Sequence, residues 1–307
     1  MKKNAIKTFN TNEFLDEYMH PAPHLSAIIA QDYGEFFMLP VQDMIRFSKL
    51  PVPPTRASTH TLIFLTSGIA TMNIGFQHLE IGANECLIVA AGQVFSYDKY
   101  EINEGFICSF SEAFLVGKIA NNDALQAFNF LRISGNPIIK PNAKTANYIA
   151  QTLQRITDAY TDDGLKNPTL IAAYFMAVLY ELNTAYQPLF EDIRNKAAVN
   201  LTNAFKHLLH QHIKTTHSAS DYAKMLHISP NHLNKSVKIV TNKSVSTWIS
   251  ETLILEAKIL LFQTKDSISD IAIALGIEDA SYFSRLFKAH EGISPLSFRK
   301  MIDKSHN

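Results

Sequence analysis

Basic side chains and histidines concentrate toward the end of this chain of 307 residues. Residues 193–307 hold 15 Lys+Arg against 9 Asp+Glu, and eight of the twelve histidines, whereas residues 1–192 hold 13 against 19. The two parts carry +6 and −6 and cancel to a net charge of zero. A basic part is drawn to a polyanion and an acidic part is not, so the split points to two domains with different partners. Hydrolytic and phosphate-handling patterns are missing: there is no Gly-rich phosphate loop, no Gly-x-Ser-x-Gly elbow and no His-Glu-x-x-His zinc site. His207, His210 and His212 cluster, but no Cys or acidic residue joins them at ligand spacing, and imidazolium at a helix end explains them as well. No metal, no cofactor and no enzyme activity are expected.

Two similar units stand about 50 residues apart in the basic part. The first runs Ser220-Asp221-Tyr222-Ala223-Lys224-Met225-Leu226-His227-Ile228-Ser229-Pro230, and the second Ser269-Asp270-Ile271-Ala272-Ile273-Ala274-Leu275-Gly276-Ile277-Glu278-Asp279. In each, a small Ala lies four residues before His227 or Gly276, an Ile follows, and a polar residue opens a new helix. The Ala lets two helices approach closely, and the residue after it must take a tight, left-handed turn, which Gly adopts freely and His at some cost. Helices are predicted at 197–212, 218–226, 230–240, 245–263, 268–275, 280–290 and 295–301. The helix at 245–263 would span ~28 Å at 1.5 Å per residue, close to the ~34 Å between successive major grooves on one face of DNA. Such a connector could hold the helices at 230–240 and 280–290 in neighbouring grooves. Ile271, Ala272, Leu275, Phe283, Leu286, Phe287, Trp248 and Leu260 are expected to form the core.

Residues 195–301 resemble the AraC/XylS family of transcription regulators. The resemblance is carried by Ile268-Ser269-Asp270-Ile271-Ala272, Leu275-Gly276-Ile277-Glu278-Asp279, Ser281-Tyr282-Phe283-Ser284-Arg285-Leu286-Phe287-Lys288, Gly292-Ile293-Ser294-Pro295 and Phe298-Arg299. The chain departs from the family pattern at Val237, usually Phe, at Asn242, usually Gly, and at Leu253, often Arg. The family implies that Asn231, Asn234 and Lys235 on one recognition helix, and Ala280, Ser281 and Arg285 on the other, face DNA bases. It implies phosphate contacts by Ser229, Lys238, Lys243, Lys288 and Arg299. Arg and Lys match guanine O6/N7, Asn matches adenine N6/N7, and Ala can meet a thymine methyl.

The acidic part reads differently. Short apolar runs from about 25 to 114, broken by Ser67-Gly68, Gly75, Gly82-Ala83-Asn84 and Gly92, suggest a β-sandwich or small barrel. Beyond residue 113 the period becomes helical: Ile149, Leu153, Ile156 and Tyr160 share a face, and Asn167-Pro168 opens a helix apolar nearly all round. The best linker lies at 188–193. Cys86 and Cys108, each inside an apolar run, read as buried thiols of a cytoplasmic protein. No run approaches a membrane span, and no secretory leader is evident.

In its Gly68 and Gly92-Gln93 turns and its strand order the acidic part resembles the cupin-like sensor domains that precede this DNA-binding domain in many relatives, so the expected fold class is α+β: a cupin-like barrel with helices, then an all-α domain with two helix-turn-helix units. The domains would be a cupin-like sensor at 1–115, a helical dimerisation and linker region at 116–192, and a DNA-binding domain at 193–307. Expected partners are double-stranded DNA, a second copy of the chain, RNA polymerase, and a small-molecule effector in a pocket drawn from His60, Phe64, Met72, Phe95 and Tyr97. Two other readings stay open at this point. One is a ligand-sensing interaction module whose DNA binding has degenerated, and the other is a cupin enzyme with a helical tail.

Overall fold

A computed structural model describes residues 7–20, 35–99, 101–116, 125, 127–133, 135–186 and 196–305. The linker expected at 188–193 and the start of the strand region near 25 lie outside the described residues. The chain divides into two compact units, Thr8–Leu189 and one that includes Phe190–Asn307.

The N-terminal unit opens with helix α1, Thr11–Tyr18, started by a capping box. The Asn10 side chain accepts the Glu13 N–H at 2.9 Å and the Glu13 carboxylate accepts the Asn10 N–H at 3.0 Å. Eight strands follow: β1 Phe36–Pro40, β2 Val52–Arg56, β3 His60–Ile74, β4 Gln77–Gly82, β5 Cys86–Val89, β6 Val94–Tyr97, β7 Asn103–Phe110 and β8 Ile138–Ile139. All named pairings are antiparallel. Short helices α2, Val41–Phe47, and α3, Glu112–Leu115, flank the strands, and long helices α4, Ala143–Asp163, and α5, Pro168–Ala185, come last.

Strand β3 belongs to two sheets. Its first half pairs with β5 and β7, which extend to β8 and β1; its second half pairs with β4 and β6, and β6 with β2. The expected break at Ser67-Gly68 is a register shift between Leu65 and Ser67 inside one continuous strand. Such an irregularity bends a strand without ending it.

The period of two sorts the strand residues onto two cores. Leu62, Phe64, Cys86, Cys108 and Phe110 pack beneath α4 and α5 through Ile149, Leu153, Phe175 and Leu179. Ile63, Leu65, Leu87, Val89 and Ile107 face the other way, with Phe14, Leu15, Val41 and Met44 of α1 and α2. Burial on both faces explains why these strands read as unbroken apolar runs. Helix α5 begins where Asn167-Pro168 predicts it, with the Asn167 side chain accepting the Leu170 N–H at 3.3 Å. Its apolar girth is taken up inside the unit: Ile171, Phe175, Met176, Leu179 and Leu182 share a core with the sheet. Cys86 and Cys108 are both buried, and neither forms a disulfide.

The C-terminal unit is helical among its described residues: α6 Lys196–His212, α7 Ala219–Met225, α8 Pro230–Thr241, α9 Val245–Gln263, α10 Ile268–Ala274, α11 Ala280–Glu291 and α12 Pro295–Ser305. The sequence-predicted segments agree to within a residue or two, except that α12 runs four residues further. Side chains at the starts explain the agreement. Ser218, Ser229, Ser244, Ser267 and Asp279 each accept a backbone N–H of the first turn, and such a cap is worth ~1 kcal/mol. Ile271, Ala272, Leu275, Phe283, Phe287 and Leu260 are buried as expected, while Leu286 and Trp248 remain partly exposed.

Candidate nucleic-acid interface

The turns between α7 and α8 and between α10 and α11 are built alike. His227 has φ 55° and Gly276 has φ 76°, both left-handed. The His227 N–H reaches the Lys224 carbonyl at 3.0 Å, and the Gly276 N–H reaches that of Ile273 at 2.9 Å. One residue later, the Ile228 and Ile277 N–H groups return to the carbonyls of Ala223 and Ala272, at 3.0 and 2.9 Å. These paired bonds satisfy carbonyls that a helix end leaves open. At Gly276 a Cβ would collide with the Lys214 carbonyl oxygen, so the crossing of the chain there depends on the missing side chain. Ala223 and Ala272 are fully buried where the helices meet.

The likeness continues to the far ends of the two following helices. Asn242 and Gly292 close α8 and α11 in left-handed conformations, φ 56° and 76°, and donate to the Lys238 and Lys288 carbonyls at 2.9 Å each. Asn thus does the work of the family's usual Gly, as the sequence suggests. Leu233, Val237 and Val240 bury one side of α8, and Phe283 and Phe287 bury one side of α11.

The opposite sides are exposed, and they carry most of the expected contact residues. Asn231, Asn234, Lys235 and Lys238 are exposed on α8, with Ser229 at its cap. Ser281, Arg285 and Lys288 are exposed on α11, and Ala280 is half-buried at its start. Two side chains absent from the expected set share these faces: His232 on α8 and Tyr282, half exposed, on α11. Their ring size and exposure in a helix otherwise amphipathic were the available signal.

Several of these groups already have partners inside the protein. The Asn234 Oδ1 accepts the Val245 N–H at 3.1 Å, so the oxygen of this amide is already engaged within the protein. Arg285 stands 3.8 Å from the Asp279 carboxylate, with both side chains more than half exposed. Backbone N–H groups of Tyr282 and Ser281 hold the Asp279 carboxyl below the usual carboxylate range, as suits a helix cap. Lys243 is not free for a phosphate: its Nζ lies 2.7 and 2.9 Å from the two Glu251 oxygens and over the Trp248 ring. Arg299 is a second correction. Its guanidinium donates to the Asp266 carbonyl, and its Nε and Nη2 are buried. That side chain ties α12 to the turn before α10 and does not face outward.

Leu253 also finds a different place. It is 3% exposed, in the core around α9, so a leucine there is what the packing requires. Val237, where the family usually has Phe, is likewise fully buried. A third aspect of internal symmetry lies beside the helices: Lys206 Nζ sits 4.7 Å from the Trp248 ring, and Lys258 Nζ 5.6 Å from the Phe298 ring. Burial pushes the Lys206 ammonium down to about 8.

The pocket residues expected in the N-terminal unit are divided by the strand period. Met72, Phe95 and Tyr97 line a cavity of about 90 Å³. His60 and Phe64 do not: on β3 they point to the opposite face from the lining residues Thr61 and Ile63. His60 stacks on Phe110 at 5.2 Å, and its Nδ1 accepts the Ala91 N–H at 3.1 Å. Among the described residues no group of three His, Cys, Asp or Glu side chains could hold a metal ion, and His210 and His212 fall in the last turn of α6. No described helix is long and apolar enough to cross a membrane.

Residues 222–301 match the family model of a helix-turn-helix domain. The transcriptional regulator YisR of Bacillus subtilis is 33% identical over 96 residues, which cover 31% of this chain and 33% of that protein. The Msm operon regulatory protein of Streptococcus mutans is 24% identical over 257 residues, 82% of this chain and 88% of that one. Among solved structures, ToxT of Vibrio cholerae aligns over 87% of this chain and 94% of its own, at 13% identity and a TM-score of 0.43. The C-terminal unit is a DNA-binding domain of the helix-turn-helix class. Over that region the chain is similar to transcriptional regulators of the helix-turn-helix type.

Proposed function

We propose that the protein regulates transcription by binding a specific DNA sequence through two helix-turn-helix units, with α8 and α11 as recognition helices in adjacent major grooves. One observation carries the reading: two turns with a left-handed residue at the same place and the same return bonds each present a helix whose buried side is apolar and whose open side is polar and cationic. Arg285, Lys235 and the Asn231 and Asn234 amides are the groups suited to base edges; Lys238 and Lys288 suit phosphates. Ser281 and Ala280 would approach at the start of α11, where a small side chain permits close contact, and Ser229 at the start of α8.

The N-terminal unit is proposed as a cupin-like effector domain, supported by its cavity and its antiparallel strands. Homodimerisation through 145–187 would raise affinity for paired half-sites, and contact with RNA polymerase would follow at the promoter. Effector binding would shift the population between DNA-binding states.

The test is a fluorescence-anisotropy titration of the full chain on tiled upstream DNA at several salt concentrations. A preferred fragment, bound with log K falling linearly against log salt, is expected. Equal affinity for every fragment would overturn sequence-specific recognition.

A further inference from the structure

We infer that the cavity of the N-terminal unit takes a small neutral molecule with an apolar, ring-sized body and one hydroxyl or carbonyl end. This names the chemistry of the effector proposed above, and it rests on that reading for any consequence at DNA.

The cavity's volume, about 90 Å³, is several times the ~10–15 Å³ that one water needs. Its walls are mostly apolar, led by Phe14, Phe37, Met44, Ile63, Met72 and Phe95. Such walls gain dispersion contacts only from a guest that fills them.

The polar groups fall into two sets. At one place β3 and β7 bring hydroxyls together: Thr59 Oγ1 lies 2.8 Å and Thr11 Oγ1 3.2 Å from Ser109 Oγ, and Thr61 pairs directly across from Ser109. Hydroxyls both donate and accept, so they can meet a hydroxyl or a carbonyl, but they cannot neutralise a charge. The second set holds the ionic groups, Lys99 and Glu101, of opposite sign. Both Glu101 oxygens are occupied, at 2.7 Å from the Thr71 N–H and 2.7 Å from its Oγ1. Lys99 is exposed to solvent. Tyr97 adds no charge, since burial pushes its phenol up to about 12. A charged guest would leave water without a buried counter-ion, which costs several kcal/mol. A sugar would set most of its hydroxyls against Phe and Met, where they stay unpaired.

Isothermal titration of the full chain with phenol, benzene, benzoate and glucose at pH 7.5 decides the matter. We expect phenol to bind, with benzoate and glucose at least roughly tenfold weaker. Ser109→Ala should weaken phenol about five- to tenfold and leave benzene unchanged. Met72→Trp should block both arenes. Benzoate or glucose binding as tightly as phenol, or no arene binding to the wild type, would overturn the inference. So would the two variants leaving phenol affinity unchanged. DNA titrations run in parallel separate the two ideas: arene binding that leaves DNA affinity untouched supports the ligand class and refutes effector control alone.

Discussion

His227 and Gly276 adopt the same left-handed backbone, about 50 residues apart, and each is followed by an Ile whose N–H returns to a buried Ala. The same turn is therefore built twice from different residues, at different energetic cost. At Gly276 the conformation is free and the space is closed; at His227 the side chain is exposed and bears the strain of a positive φ.

Gly276→Ala is expected to lose ~1–3 kcal/mol from backbone strain, and more from the collision with the Lys214 carbonyl. His227→Gly is expected to change stability by less than about 1 kcal/mol, because relief of ~1–2 kcal/mol of left-handed strain is offset by the larger unfolded-state entropy of Gly. Urea denaturation of both variants checks the asymmetry. Equal losses would contradict it.

At the proposed DNA face, Arg285 and Lys288 should behave differently. Arg285→Ala is expected to cost ~1–3 kcal/mol on the preferred site and to relax one base position. The Asp279 pairing that Arg285 must give up is exposed, and worth only ~0–1 kcal/mol. Lys288→Ala should weaken all sequences alike and reduce the salt slope by about one. Titrations across salt on matched and mismatched duplexes measure both.

Arg299 gives the opposite expectation. Because its guanidinium serves the Asp266 carbonyl from a buried position, Arg299→Ala should destabilise the C-terminal unit by ~1.5–3 kcal/mol. The salt slope of DNA binding at a temperature where the variant is folded should stay unchanged. A slope reduced by one would restore the phosphate role that the family pattern implies.

Lys206 supplies a pH signature. Its ammonium, about 8 in the folded chain, has an ordinary value of 10.5. Between those values the unfolded chain holds more protons, so stability rises with pH across that window. The cation–π contact with Trp248 favours the charged form by ~0.5–1 kcal/mol and works against desolvation, so the rise should be on the order of 1–2 kcal/mol. Trp248, the chain's single tryptophan, reports the titration directly: its emission should change near pH 8, and Lys206→Met should abolish the step and flatten the stability profile.

The helical unit was legible from residue order because its information is local. A capping Ser or Asp starts five of its helices, Gly or Asn ends two, and the buried side chains recur at helical spacing. A hydrogen bond from a cap reaches three residues, so a one-dimensional string contains it. The short helices α1 and α2 escaped notice because two turns are too few to show a period. Lys243 and Arg299 resemble phosphate contacts in the sequence because a cationic side chain carries no mark of where it points; Glu251, 8 residues on from Lys243, and the Asp266 carbonyl, 33 residues before Arg299, claim them in the fold.

The sheet illustrates the boundary most plainly. Sequence alone determined that strands run through this region, since apolar β-formers alternate with turn residues. Which face each residue serves was decided only by pairing and by what covers the two sides. With apolar residues on both faces, the period of two loses its contrast, and His60 and Phe64 cannot be told from Thr61 and Ile63 by composition. Helices α4 and α5 claim one face and α1 and α2 the other, and only that long-range choice puts Thr11, Thr59 and Ser109 around one cavity.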